Sequence, residues 1–270
     1  METSLNSPAE HLRLAKHQRA DRSAFRLEPL VDMPSRRVVH DSGARPAELL
    51  LFAPRRRSEV ANRIINSSIA AGLLVVASPV LVVAAIAIKL TSPGPIFYLQ
   101  ARVGLNRRRR RQHEAGDYDR RSHDLGGQVF KIYKLRTMRS DAERRSGVVW
   151  AQRRDPRATP VGRLLRKLRI DEIPQLLNVL KGDMNIVGPR PERPSLVAKL
   201  SRRIPEYPLR QLAKPGITGL AQISQSYDAC LEDVRRKVGY DLAYLARQDL
   251  IEDLRIMLRT VPVILFQKGW

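Results

Sequence analysis

The sequence predicts an α+β protein, mostly helical with a short β-hairpin and strands, held in a membrane by one re-entrant helix broken at Ser-Pro, and so monotopic. Three observations carry this: an uncharged apolar run from Ile69 to Ile88, a proline in its middle, and cationic residues on both flanks.

Residues 1–58 are polar, rich in Arg, Ser and Pro, and without sustained period, the composition of a disordered basic leader. They hold no early apolar stretch such as a cleavable secretory signal needs. Residues 59–95 form the membrane element. The run IAAGLLVVASPVLVVAAIAI (69–88) matches the length, about 20 residues, that crosses a hydrocarbon core as one helix. Apolarity on every face argues against the buried helix of a soluble core. Proline removes a backbone donor and crowds the preceding turn, so a kink is expected at Ser78-Pro79, with Ser78 rebonding a freed carbonyl. Arg55, Arg56, Arg57 and Arg63 precede the run; Lys89, Arg102 and Arg107 to Arg111 follow it. A straight bitopic span puts one of these clusters on the wrong side. A helix that bends at Ser78-Pro79 and returns keeps both on the cytoplasmic side of the membrane, and is favoured over the bitopic span, which stays open.

Residues 96–270 make a cytoplasmic domain with interfacial helices. Thr91 to Pro95 is turn chemistry and Ile96 to Gln100 a short strand. The arginine-rich loop 106–128 is solvated or lies on anionic headgroups. Val129 to Met138 alternates apolar and basic residues, the pattern of a strand with one cationic face. Gly162 to Ile170 reads as a helix, and Pro174 opens another, at the first helical position where its missing donor does no harm. Lys214 to Gln222 is a turn followed by a short strand. From Leu231 the chain is helical. Leu250 to Phe266 has an apolar face beside Glu252, Asp253, Arg255 and Arg259, and lies either in the membrane interface, with Trp270 as a belt residue, or on the core.

Composition narrows the function. With 270 residues, 43% apolar and only 5% aromatic, the core is aliphatic. A net charge of +22 demands anionic company: nucleic acid, an anionic membrane surface, or phosphorylated substrates. The single cysteine, Cys230, excludes an intramolecular disulfide and is read as a small buried apolar residue. No zinc pattern, dinucleotide-binding fingerprint or Walker loop is present, and the five histidines are scattered.

Two acidic residues stand in a cationic setting. Asp171-Glu172 follows Arg163, Arg166, Lys167 and Arg169 and comes just before the helix opening at Pro174, where free N–H groups and the dipole favour a phosphate. A carboxylate there can attack phosphorus, and two adjacent carboxylates can share Mg2+. Alone, an acidic pair at a helix start usually serves as a cap. Gly188-Pro189-Arg190-Pro191 is the second candidate. Its prolines stiffen the loop that presents Arg190, whose guanidinium binds phosphate oxygens in pairs.

The order of the motifs decides the weighting. The chain from Arg63 to Gly269 resembles the monotopic polyprenyl-phosphate phosphoglycosyl transferases, bacterial sugar transferases of the exopolysaccharide-initiating type. The matching pieces are Ser78-Pro79, SPGPIFYLQARVG (92–104), FKIYKLRTM (130–138), RDPRATPVGRLLRKLRIDEIPQLLNVLKGDMNIVGPRP (154–191), KPGITGLAQ (214–222) and DLAYLARQDLIEDLRIMLRT (241–260).

The resemblance implies a catalytic domain in which Asp171 is a nucleophile that becomes a covalent phosphosugar, with Glu172 holding Mg2+ or tuning Asp171. It implies phosphate binding by Arg166, Arg190 and Arg136, and leaves Asp183 and Asp241 at family positions without a role. The metal would be Mg2+ on Asp171 and Glu172. The implied partners are a UDP-sugar donor carrying glucose or galactose, undecaprenyl phosphate as acceptor, anionic lipid headgroups, and a second copy in a homodimer, with no nucleic acid. The chain departs from the family at Leu220, where tryptophan is common, and at Gln225-Ser226, where Gly-Arg is common. Its loop between Gly104 and Val129 is also long, and it is read as the short form, without N-terminal spans. A membrane-tethered nucleic-acid binder predicts basic residues interleaved with exposed aromatics, and a non-catalytic scaffold predicts an eroded dyad; the sequence shows neither.

Overall fold

A computed structural model describes residues 54–55, 57–106, 127–139, 155–225 and 230–265. The leader up to residue 53, the arginines at 107–111, all five histidines and Trp270 lie outside the described residues.

The first element is α1, Glu59–Thr91, a single helix of 33 residues opened by Ser58, whose hydroxyl accepts from the Ala61 N–H. Helical structure continues through Pro79, so the proline does not interrupt the helix as a break in the chain's secondary structure would. Pro79 has no N–H for the carbonyl four residues back, that of Val75. The Ser78 hydroxyl donates to that carbonyl at 2.8 Å, as the sequence led one to expect. The middle of α1 is bare, with Val75, Val76 and Val83 more than two-thirds exposed. Its ends are docked. Ala70 is fully buried in the main core with Val179, Met184 and Leu245, while Ala84 and Ile88 pack with Leu135 and Leu165.

Strands β1 (Phe97–Val103) and β2 (Val129–Leu135) pair antiparallel from Phe97↔Leu135 to Val103↔Val129. Phe130 and Ile132 face the core. The expected single cationic face is absent: side chains alternate along a strand, so Lys131 points outward while Lys134 shares the inner side with Phe130 and Ile132. Helix α2 (Pro160–Lys167) follows, capped by the Thr159 hydroxyl. A 3-10 turn, Ile170–Gln175, runs into α3, Leu176–Lys181. Pro174 therefore lies inside the turn rather than opening a helix, and the acidic pair falls in the turn itself rather than before it.

Strand β3 (Asn185–Val187) pairs parallel with β4 (Gly216–Thr218), with α4 (Pro194–Ser201) and a 3-10 turn (Tyr207–Leu212) between them. The short helix α5 (Leu220–Ser224), then α6 (Leu231–Arg247) and α7 (Leu250–Leu265), complete the described chain. Cys230 is exposed, not buried, because it occupies the N-cap of α6, where its N–H donates to Asp233. Helix α7 buries Asp253 and Ile256 against the domain but leaves Leu250, Ile251, Leu254 and Leu258 exposed, so it is apolar on both sides. Such a surface suits the membrane interface.

Candidate active site

The site is assembled where the 3-10 turn meets β2 and the loop after β3. Arg169 begins the turn in the left-handed region, at φ 60°, the only described non-glycine residue with positive φ. Such a conformation costs about 1–2 kcal/mol for an ordinary side chain, and strain of this kind gathers at functional sites. The reversal brings Arg169 back to Glu172, whose Oε2 accepts from Arg169 Nη1 at 3.3 Å.

Glu172 is the hub of the site. Its Oε1 accepts from Lys134 Nζ at 2.7 Å and from Arg190 Nη2 at 2.6 Å, and Oε2 also accepts from Arg190 Nη1 at 3.4 Å. Burial alone would raise the Glu172 carboxyl, but the Arg190 and Lys134 cations outweigh it and hold the group well below its usual range. Burial likewise pushes the Lys134 amine down, against the opposing pull of Glu172.

Asp171 is the opposite case. It is buried to 8% exposure, yet its carboxylate makes no hydrogen bond or ion pair with a side chain of any described residue. Burial, then the neighbouring Glu172 charge, push its carboxyl up to about 6, while Lys134, Arg166 and Arg169 pull the other way. At neutral pH it is mainly ionised, and its oxygens are uncommitted in a site ringed with cations. That arrangement can attack an electrophilic phosphorus.

Arg190 stands on a loop that has no room to wander. A Cβ on Gly188 would meet the Lys214 carbonyl at 2.4 Å, Gly216 N–H donates to the Pro189 carbonyl at 3.0 Å, and Arg102 Nη1 donates to the Pro191 carbonyl at 3.0 Å. Arg166 is held by a bond from Nε to Thr137 Oγ1 at 2.8 Å and lies close enough to act on the Asp171 charge. Arg136 makes no ion pair with the dyad. Its guanidinium donates to the Pro93 carbonyl at 2.7 Å and to the Ser92 carbonyl and hydroxyl at 2.7 and 2.9 Å, closing the turn after α1. Gly94 at φ 117° leaves the space this guanidinium fills.

Lys134 was missed among the sequence's candidate residues. Its signal was there: Phe130, Ile132 and Lys134 are spaced by two, so a strand with the first two inside carries the lysine inside as well.

An acidic pair of which one member is held by cations and the other has no side-chain partner among the described residues, in a domain that carries an exposed apolar helix, suits a membrane-associated enzyme acting on anionic groups. A model of the family described as bacterial sugar transferase matches residues 57–267. A UDP-glucose:undecaprenyl-phosphate glucose-1-phosphate transferase of Caulobacter vibrioides is 40% identical over 246 residues, 88% of this chain and 84% of the relative. A UDP-N-acetylgalactosamine-undecaprenyl-phosphate N-acetylgalactosaminephosphotransferase of Aeromonas hydrophila is 41% identical over 188 residues, 70% of this chain but 40% of that longer protein. The glucose-1-phosphate transferase of Escherichia coli is 37% identical over 191 residues, 70% of this chain and 37% of the relative. The chain belongs to the bacterial sugar transferase family and is a transferase enzyme.

Proposed function

We propose that this enzyme transfers a hexose 1-phosphate from a UDP-sugar to a polyprenyl phosphate in two steps through Asp171, starting the assembly of a polysaccharide. An Asp171 oxygen attacks the sugar-side phosphorus of the donor. The bond from that phosphorus to the bridging oxygen breaks, and UMP leaves with the electron pair. A phosphate oxygen of the lipid then attacks the same phosphorus, the aspartyl bond breaks, and Asp171 returns to its carboxylate. The observation that carries this reading is the asymmetry of the dyad: Glu172 is bound by Arg190, Lys134 and Arg169, while the buried Asp171 carboxylate has no side-chain partner among the described residues. The named activities of the relatives support the donor and acceptor classes.

Arg190, Arg166 and Lys134 supply the fixed positive charge that phosphoryl transfer depends on. Among the described residues no three His, Cys, Asp or Glu side chains converge on a metal site. The donor set nevertheless fits Mg2+ as that ion is commonly held, by one or two carboxylates together with substrate phosphates. Asp171 would hold it together with the substrate phosphates, since both Glu172 oxygens are already taken by Lys134, Arg169 and Arg190, and it would offset diphosphate charge.

The re-entrant topology belongs to the same proposal. Support comes from the docking of both arms of α1 on one domain: Ile69 and Leu74 pack against the main core, which also receives Ile173, while Ala84 and Ile88 belong to a second cluster against which Leu81 and Ile170 pack.

The test is UMP release from a panel of UDP-sugars with undecaprenyl phosphate and Mg2+. Release on one sugar by the wild type, lost in Asp171→Asn, supports the reaction; full activity in Asp171→Asn returns the dyad to a structural role.

A further inference from the structure

We infer that Arg210 and Asp241 are positioning residues for the transfer, forming a buried strut that fixes where the Arg190 guanidinium stands. This rests on the reading of Arg190 as a phosphate-binding group. Arg210 comes from the 3-10 turn Tyr207–Leu212 and Asp241 from the middle of α6; their side chains are 4% and 2% exposed. Arg210 Nε donates to Asp241 Oδ2 at 2.8 Å and Nη2 approaches the same oxygen at 2.6 Å. Nη1 donates to the Tyr207 hydroxyl at 2.8 Å, and the guanidinium lies 4.9 Å from the centre of that ring. The remaining contact points to the function of the pair: Arg210 Nη2 donates to the backbone carbonyl of Arg190 at 3.2 Å.

A buried ion pair is weak evidence for stability, because apolar side chains of similar volume usually do as well. It earns its place where a charge must be delivered to a defined point. Here that point is the peptide of the residue that clamps Glu172. The loop is pinned again just beyond, where Glu192 accepts from Lys237 at 3.1 Å and from Arg102 at 3.3 Å. Lys237 and Asp241 are four apart on α6, so one face of that helix holds both sides of the Arg190 loop. Neither Arg210 nor Asp241 contacts Asp171 or Glu172, and both are too buried to meet substrate. They act through Arg190. A misplacement of about 1 Å at such a group is enough to lower a rate by about 100-fold. Sequence alone left Asp241 without a role; its partner stands 31 residues earlier.

The test is a double-mutant cycle on the full enzyme, read as kcat/KM for the donor. The variants are Asp241→Asn, Tyr207→Phe and Arg190→Lys, with Asp249→Asn as a control at an ion pair, to Arg55, away from the Arg190 loop. Asp241→Asn should lower kcat/KM by about 30-fold alone but by no more than about 3-fold in the Arg190→Lys background. Tyr207→Phe, which keeps the ion pair and ring and so guards against a folding defect, should show the same pattern at about 3-fold. The control should multiply its own loss equally in both backgrounds. Equal losses for Asp241→Asn in both backgrounds would overturn the strut. Full activity of Arg190→Lys would instead overturn the reading of Arg190 beneath it.

Discussion

Two buried carboxylates, Asp253 at the foot of α1 and Asp171 in the dyad, show opposite uses of the same chemistry. Asp253 is satisfied: Arg57 Nη1 donates to it at 2.6 Å and the Tyr244 hydroxyl at 2.7 Å, and it joins the entrance of the membrane helix to α7. Asp171 is almost equally buried and has no such partner among the described residues, although Lys134, Arg166 and Arg169 are near enough to act on its charge. Beside Asp171 stands Glu172, which takes up the cations and leaves its neighbour reactive. A buried charge tied to its partners holds elements together, and one left without a protein partner beside a cluster of cations points to chemistry.

That contrast can be broken by substitution. Asp171→Asn should have the largest effect on turnover, a loss of about 10,000-fold or more, as removal of a nucleophile entails. Yet melting should be unchanged or raised by roughly 2–5 °C, because an unfavourable buried charge has gone. Glu172→Gln releases the arginine and lysine cations from their hub, and should lower turnover by about 100- to 1000-fold with a loss of stability. Asp253→Asn should reverse the first pattern: destabilisation by about 3 kcal/mol in denaturant titration, with the folded fraction nearly fully active.

The pH dependence sharpens the comparison further. Asp171 has a raised carboxyl pKa, about 6, so the folded state favours its protonated form. Its contribution to stability is present below the ordinary carboxylate range and is lost as pH rises through about 6, while reactivity moves the other way. Donor kcat/KM should fall about tenfold per pH unit below that value. Glu172, depressed, contributes stability above the ordinary range and loses it only as pH falls well below. The smallest effect expected is for Ser78→Ala, which leaves the Val75 carbonyl without its donor and should weaken the fold by about 1 kcal/mol.

Much of this was legible in the sequence because it depends on local pattern. The apolar run gave α1, alternation gave the hairpin, and the order of motifs gave the dyad and Arg190. What was not legible depends on contacts between distant segments. Pro174 looked like a helix start, but the turn begins earlier, at a left-handed Arg169 that no propensity indicates. Arg136 is basic and adjacent to the right motif, yet its donors close the turn after α1. Cys230 has the character of a core residue but falls at a helix cap, where position outweighs hydrophobicity. The pairing of Arg210 with Asp241 links elements that no sequence period connects.

The central claim is that Asp171 carries the phosphosugar between donor and acceptor. The direct measurement is rapid-quench UMP release with the UDP-sugar the enzyme uses and no polyprenyl phosphate, together with the intact mass of the enzyme. The account predicts a burst approaching one UMP per enzyme and a mass increase of one hexose phosphate, both abolished in Asp171→Asn and discharged on adding the lipid phosphate. UMP release that requires the lipid from the first turnover, with no mass change, would contradict it.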